Sequence, residues 1–347
     1  MKKPSLLLPC PELNKKKKSL WPVFIPFAGC KVRCVFCNQK LSTGREKVND
    51  IKLLVNKELR QLKKQAQQKK KVFGLGFFGG TFTGLSLELQ TYILSEARKL
   101  KKEGWVDFVS LSTRPDFVNY EVAELLAGAE VDLVELGIQS FNSEVLQANK
   151  RSYSLKDILS ALSLLQEKNL DYGFQLLPGM FKQSLAIFWE DLDWTWKIRP
   201  KTIRLYPCLV LKDTLLARYY WQGKFVPWEL EKTLLALAVA VKKLWEQGIT
   251  ILRVGLTPEK ELLENILAGP WHPSLGLLVK SLAFRMYLQE YLFWSSRTVQ
   301  AIYLPSRLES FFWGYKGEAK TEWKKIGIGP ELVKTGPYRE IKIDFVN

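Results

Sequence analysis

Residues 27–39 read FAGCKVRCVFCNQ, with Cys30, Cys34 and Cys37 spaced C-x3-C-x2-C. No further cysteine stands near, and Cys10 and Cys208 have no partner by spacing. A structural zinc site closes with four ligands, usually supplied by paired C-x2-C knuckles. Here there is one compact group of three, and His272 is the single histidine. Zinc would need Cys10, His272 or a carboxylate to complete its shell. Unliganded thiols on a loop holding Arg33 and Gly29 would be open to oxidation. A four-iron cluster usually takes four thiolates, so three would leave one iron open to an exogenous ligand. All three readings stand on the spacing alone.

Working outward from this loop, short β-rich runs alternate with segments of helical period. WPVFIPF (21–27) reads as a strand running into the cysteines. Residues 49–70 place Ile51, Leu54, Val55, Leu59 and Leu62 on one helical face. Further strands are expected at 72–78, 105–112, 131–138, 171–178 and 201–207, with helices at 86–103, 119–128, 155–168 and 183–197. Regular βα alternation argues for parallel strands with crossover helices. Six such units predict an α/β fold, a partial (β/α)6 barrel rather than a closed one of eight strands. Chemistry in such folds collects at the strand C-terminal ends. The unusual local sequences sit there: the cysteine loop, FFGGTFTG, STRPD, GIQSF, LLPGM and YPCLVLKD.

Beyond residue 222 the composition shifts. A helix over 228–247, a strand over 249–256 and helices over 258–268 and 276–292 are expected. The tail reads strand (299–305), helix (306–313), Gly314-Tyr315-Lys316-Gly317, helix, and final strand (339–345). That order resembles a minimal KH module, whose G-x-x-G loop clamps a nucleic-acid backbone; the alternative is a small α+β cap with a glycine turn. The expected division is a basic arm (1–20), a core barrel (21–222), a helical extension (223–296) and a small α+β module (297–347).

Charge is unevenly placed. Of a net +17, residues 1–71 hold 16 Lys and 3 Arg against 4 Asp/Glu, including Lys15–Lys18 and Lys69–Lys71. Clustered lysines suit a polyanion through counterion release, or else form a solvated arm and helix face. No apolar run approaches the roughly 20 residues of a membrane span. The apolar stretch after Met1 is broken by Pro9 and Pro11, too short for a signal peptide's core. Five cysteines without a secretion signal argue against a disulfide framework. A cytoplasmic location is expected. His272, between prolines in GPWHPSLG, reads as structural.

Over about residues 20–280 the chain resembles the radical S-adenosylmethionine (SAM) superfamily, and most of all the radical SAM part of the Elongator catalytic subunit and its short bacterial relatives. The matching stretches are FIPFAGCKVRCVFCNQ, FFGGTFTGL, STRPD, VELGIQSF, NKRSYS, LLPGM and IRLYPCLVLKDTLLARYY. The resemblance implies a radical SAM barrel in which Cys30, Cys34 and Cys37 ligate three irons of a [4Fe-4S] cluster. SAM would chelate the fourth iron. It implies that Phe36 lies against the adenine, that the Gly79-Gly80-Thr81 loop receives the methionine end, and that Ser112, Gln139, Arg151 and Gln175 contact the SAM carboxylate and ribose. Ser112 stands where relatives usually have glutamate, and Cys208 and Asp213 where they tend to have a hydroxyl residue and a glycine. The implied activity is reductive SAM cleavage to a 5′-deoxyadenosyl radical, fed by an electron donor such as a flavodoxin or ferredoxin. The implied substrate is RNA, namely tRNA. No segment matches the family's acetyltransferase domain, so the substrate does not transfer with the fold. Two alternatives are a radical SAM enzyme on an anionic small molecule, as in oxygen-independent coproporphyrinogen oxidases, and a non-catalytic RNA-binding iron–sulfur protein.

Overall fold

The computed structural model describes residues 4–9, 19–43, 50–295 and 297–346. Cys10 and Lys15–Lys18 lie outside the described residues. The chain divides into a larger unit, 17–228 with 256–269, and a smaller one, 1–16, 229–255 and 270–347.

A first strand, β1 (Ser5–Leu8), belongs to the smaller unit. The larger unit then runs β2 (Leu20–Phe24), α1 (Gln39–Thr43), α2 (Ile51–Lys69), β3 (Phe73–Phe78), α3 (Leu87–Lys102), β4 (Val106–Thr113), α4 (Tyr120–Gly128) and β5 (Leu133–Gln139). It continues through α5 (Ser143–Ala148), α6 (Leu155–Glu167), β6 (Tyr172–Leu176), α7 (Leu185–Ile198), β7 (Thr202–Leu205), β8 (Val210–Leu211) and α8 (Leu215–Trp221). Strands β2 to β7 pair in sequence order, every pair parallel. The six expected βα units are therefore present.

Burial explains the strand composition. β3 and β5 are buried along nearly their whole length, as strands covered on both faces must be, hence the runs FGLGFF and LVELGIQ. The helices bury one stripe each: Val55, Leu59, Leu62 and Ala66 on α2, and Ile158, Ala161, Leu162 and Leu165 on α6. Their starts are set by short polar side chains. Asp50, Ser86, Asn119, Asn142, Ser154, Ser184 and Thr214 each accept a backbone N–H from the first turn, a contribution of about 1 kcal/mol per cap.

The smaller unit holds α9 (Leu230–Glu246) and β9 (Thr250–Val254). The helix expected over 258–268 divides instead, within the larger unit, into α10 (Lys260–Leu263) and β10 (Ile266–Ala268). Ile266 pairs with Leu211 of β8, and Asn265 turns back onto the Glu261 carbonyl, which ends the helix. Then come α11 (Leu275–Ser295), β11 (Val299–Pro305), α12 (Glu309–Trp313), α13 (Lys320–Lys325), β12 (Val333–Gly336) and β13 (Ile341–Phe345), all in the smaller unit. Its sheet has the order β1-β13-β11-β12. Two of these strands lie outside the expected set. β1 falls in what read as a basic arm, and its leucines pair antiparallel with β13. β12 runs parallel to β11. His272 accepts the Ser274 N–H at 3.0 Å just before α11, a structural use.

Candidate active site

The cysteine loop follows β2 and is built against the loop that follows β3. Ile25 N–H donates to the Phe78 carbonyl at 2.7 Å, and Thr81 N–H to the Ala28 carbonyl at 2.9 Å. The approach is closer than any side chain permits. A Cβ on Gly80 would lie 2.2 Å from the Ala28 oxygen, one on Gly29 2.1 Å from the Thr81 oxygen, and one on Gly84 2.3 Å from the Gly29 oxygen. Gly79 takes a positive φ of 97°. The glycines of FFGGTFTG therefore do more than turn the chain: they let two backbones touch.

Within the loop, the Cys30 N–H closes onto the Phe27 carbonyl and the Cys37 N–H onto that of Cys34. Val35, buried between them, is fixed from two sides: its N–H donates to Asn149 O at 3.3 Å, and its carbonyl accepts from Leu216 N at 2.9 Å. All three cysteines are half-buried. The Cys30 sulfur lies 3.2 Å from the Thr81 hydroxyl. Arg151, buried, donates to the Cys34 sulfur at 3.1 Å, to the Tyr153 hydroxyl at 2.6 Å and to the Gly137 carbonyl. The Tyr153 hydroxyl in turn donates to the carbonyls at the end of β5. Burial pulls the guanidinium down, but Tyr153 and Cys34 overcome it and keep it charged.

The thiols suit a cationic inorganic group. Burial of the Cys37 thiol, and then Cys34 and Cys30 beside it, push it up to about 12. Three neighbouring thiolates repel each other until a metal charge offsets them, and a bound metal deprotonates a thiol outright. Among the described residues, no group of three His, Cys, Asp or Glu side chains is set to hold a single metal ion. A four-iron cluster instead spreads its ligands over separate irons. The donor set fits the cluster.

The other expected residues separate into three places. Phe36 packs with the apolar group of Val35, Val145, Met180, Cys208, Val210 and Leu216. Ser112 joins Gly80, Ile25, Ala28, Phe77, Phe78, Phe82 and Leu85 around a small recess. Gln175 donates to Ser112 at 2.9 Å and to Glu135 at 3.4 Å. Gln139 closes β5 with a left-handed φ of 67°, and its carbonyl accepts from Leu177 N–H.

Three residues were missed from sequence. Glu135, only 2% exposed, is held by a two-pronged ion pair from Arg204 on β7, one arm at 2.8 Å. Arg204 also reaches the Tyr206 hydroxyl at 3.4 Å. Asp191 of α7 is buried and accepts from Phe141 N–H, from Ser140 Oγ at 2.9 Å and from Gln183 at 2.7 Å. Gln183 in turn accepts from the N–H groups of Gly179 and Met180. One carboxylate thus ties the loops after β5 and β6 together. A charge inside a buried strand or stripe was the available signal, since unpaired buried charges are rare.

Comparison with known proteins agrees with this arrangement. The radical SAM superfamily model matches residues 24–195, and the radical SAM C-terminal domain model matches residues 200–283. The chain belongs to the radical SAM superfamily, is an enzyme of that class, and has a [4Fe-4S] cluster and SAM as its cofactors. It is similar to the tRNA uridine(34) acetyltransferase of Methanocaldococcus infernus, 26% identical over 60% of this chain and 46% of that protein. It is also similar to the heme chaperone HemW of Haemophilus influenzae, 24% identical over 56% of this chain and 52% of the other. Among solved structures, the archaeal Elp3 of Methanocaldococcus infernus with an N-terminal deletion superposes with a TM-score of 0.62 at 20% identity, covering 80% of this chain and 64% of that one. The chain spans about half the length of the curated relatives it matches.

Proposed function

We propose that this radical SAM enzyme modifies RNA, with tRNA as its substrate. The observation that carries the reading is the similarity of this chain to tRNA uridine(34) acetyltransferases, joined to the cysteine loop described above. When bound, the cluster and SAM supply a 5′-deoxyadenosyl radical that abstracts hydrogen from the substrate.

On this reading the chain's residues take the following roles. Cys30, Cys34 and Cys37 hold three irons on a loop whose backbone is braced by Gly79-Gly80-Thr81. Arg151 offsets the charge at Cys34 and pins that sulfur to the end of β5. Thr81, in the loop after β3, holds the Cys30 sulfur by hydrogen bond. Ser112 and Gln175, near the recess at Gly80, present polar groups for the amino-acid and ribose ends of SAM, and Gln139 sits at the adjoining strand end. Phe36 and its apolar neighbours keep water away from the adenine side. The reducing electron comes from a small carrier such as a flavodoxin or ferredoxin.

A second reading, action on an anionic small molecule, is supported by relatives named heme chaperone HemW and oxygen-independent coproporphyrinogen III oxidase at 24% identity. One experiment separates them. Protein reconstituted anaerobically with iron and sulfide is incubated with SAM, dithionite and unmodified tRNA, and the digested RNA is examined by mass spectrometry. The tRNA reading expects 5′-deoxyadenosine together with RNA-dependent consumption of SAM. Cleavage that is indifferent to RNA and stimulated by a porphyrinogen would overturn it.

A further inference from the structure

The smaller unit carries a face that the chemistry of the cysteine loop does not use. Between β11 and β12 the chain runs α12, Gly314-Tyr315-Lys316-Gly317, α13. Gly314, Lys316 and Gly317 all take positive φ, at 76°, 54° and 78°, so the turn is tight and Lys316 projects into solvent. Along α12 the rings alternate in role. Phe312 is fully buried and stacks at 4.5 Å on Trp323, whose indole N–H donates to the Phe312 carbonyl. Its neighbours Phe311 and Trp313, like Tyr315, are half-buried.

Each of these three outer rings has a lysine over it. Lys280 lies 5.5 Å from Phe311, Lys320 5.9 Å from Trp313 and Lys316 5.3 Å from Tyr315. For the exposed Lys316 and Lys320 the pairing matters because a ring holds an ammonium without neutralising it. By contrast, Lys325 on the same helix as Lys320 is engaged by Glu322 at 2.8 Å. The result is two ring–cation pairs, Trp313 with Lys320 and Tyr315 with Lys316, beside a backbone turn. A phosphodiester strand with unstacked bases is the ligand that uses all three elements: phosphates on the lysines, bases on ring surfaces, and strand backbone against a G-x-x-G turn. A folded duplex would leave the rings idle. Residues 270–347 carry eleven Lys/Arg against seven Asp/Glu, in keeping with an anionic partner.

We infer that the Lys316–Tyr315 and Lys320–Trp313 pairs around the Gly314–Gly317 turn form a binding face for a single-stranded stretch of RNA. The inference rests on the RNA reading given above and names where the smaller unit grips the substrate.

The test uses the full chain, a fluorescent single-stranded RNA of about 12 nucleotides and unmodified tRNA, with affinities measured over a salt series. Lys316→Glu combined with Lys320→Glu should weaken both RNAs by about 10-fold or more, and the slope of log affinity against log salt should fall by about 1.4, two contacts' worth for a single strand. Lys316→Arg with Lys320→Arg should retain the slope, and Trp313→Ala should weaken binding while leaving the slope unchanged, since stacking is not ionic. SAM cleavage without RNA should be the same in every variant. Equal affinity and slope in wild type and the double glutamate variant would overturn the inference while leaving the RNA reading intact. Wild-type protein that binds neither RNA at low salt would overturn both.

Discussion

Two glycine turns in this molecule do opposite things. At Gly79–Gly80 in the larger unit, the missing side chain is replaced by another loop's backbone, with the Ala28 oxygen 2.2 Å from where the Gly80 Cβ would be. At Gly314–Gly317 in the smaller unit, the nearest atoms belong to side chains, Glu318 Cγ at 2.9 Å and Lys320 Cε at 3.2 Å, and these can move. The first turn is a packing element and the second a conformational one. Charge follows the same division. Buried Glu135 is paired with the largely covered Arg204 inside the larger unit, whereas Lys316 and Lys320 rest over rings and stay exposed. What a motif tolerates depends on what fills the space around it, which spacing alone does not reveal.

That contrast can be broken by substitution. The largest effect at fixed pH is expected for Glu135→Ala, which leaves the largely covered Arg204 without its carboxylate; chemical denaturation should show a loss of about 3 kcal/mol. A loss below about 1 kcal/mol would mean the pair is solvated in solution. Asp191 gives a pH-dependent counterpart of similar size. Burial raises its carboxyl from the usual 3.8 to about 7, against the lowering influence of Phe141 N–H, Ser140 and Gln183. The folded state therefore keeps a proton that the unfolded state releases between about pH 4 and 7. This contribution to stability is full below about pH 4 and is lost as pH rises to about 7, on the order of 4 kcal/mol in all. Asp191→Asn lacks the ionisation, so the stability difference between wild type and variant should drift across that window; a flat difference would contradict the assignment.

Gly80→Ala comes next, at about 3 kcal/mol, because a backbone carbonyl must retreat to admit the methyl group. Iron retention after reconstitution should fall with it. Gly317→Ala should cost only about 1 kcal/mol, the left-handed backbone penalty, and should leave iron content untouched. Equal losses at the two glycines would erase the distinction between the turns.

How much of this was legible beforehand follows from distance along the chain. The cysteine spacing and the βα alternation are local, and both carried over into the structure. So did the strand–helix–turn–helix order of the tail. The Glu135–Arg204 pair was not legible, because it depends on register across two strand pairs: Glu135 stands beside Gly173, and Gln175 beside Arg204. Each residue alone looked like a stray charge in VELGI or IRLYP. Likewise Ser5–Leu8 forms a strand only because residues 341–344 are there to pair with it. The role of Gly80 was visible as a turn but not as a contact, since its neighbour Ala28 comes from another loop.

The claim on which the functional account depends is that three protein thiolates leave one iron for SAM. Electron paramagnetic resonance of the dithionite-reduced, reconstituted protein, recorded with and without SAM, tests it directly. The account predicts a [4Fe-4S]⁺ signal whose g values shift when SAM is added, and loss of that signal in Cys34→Ala. A signal that is indifferent to SAM would contradict it.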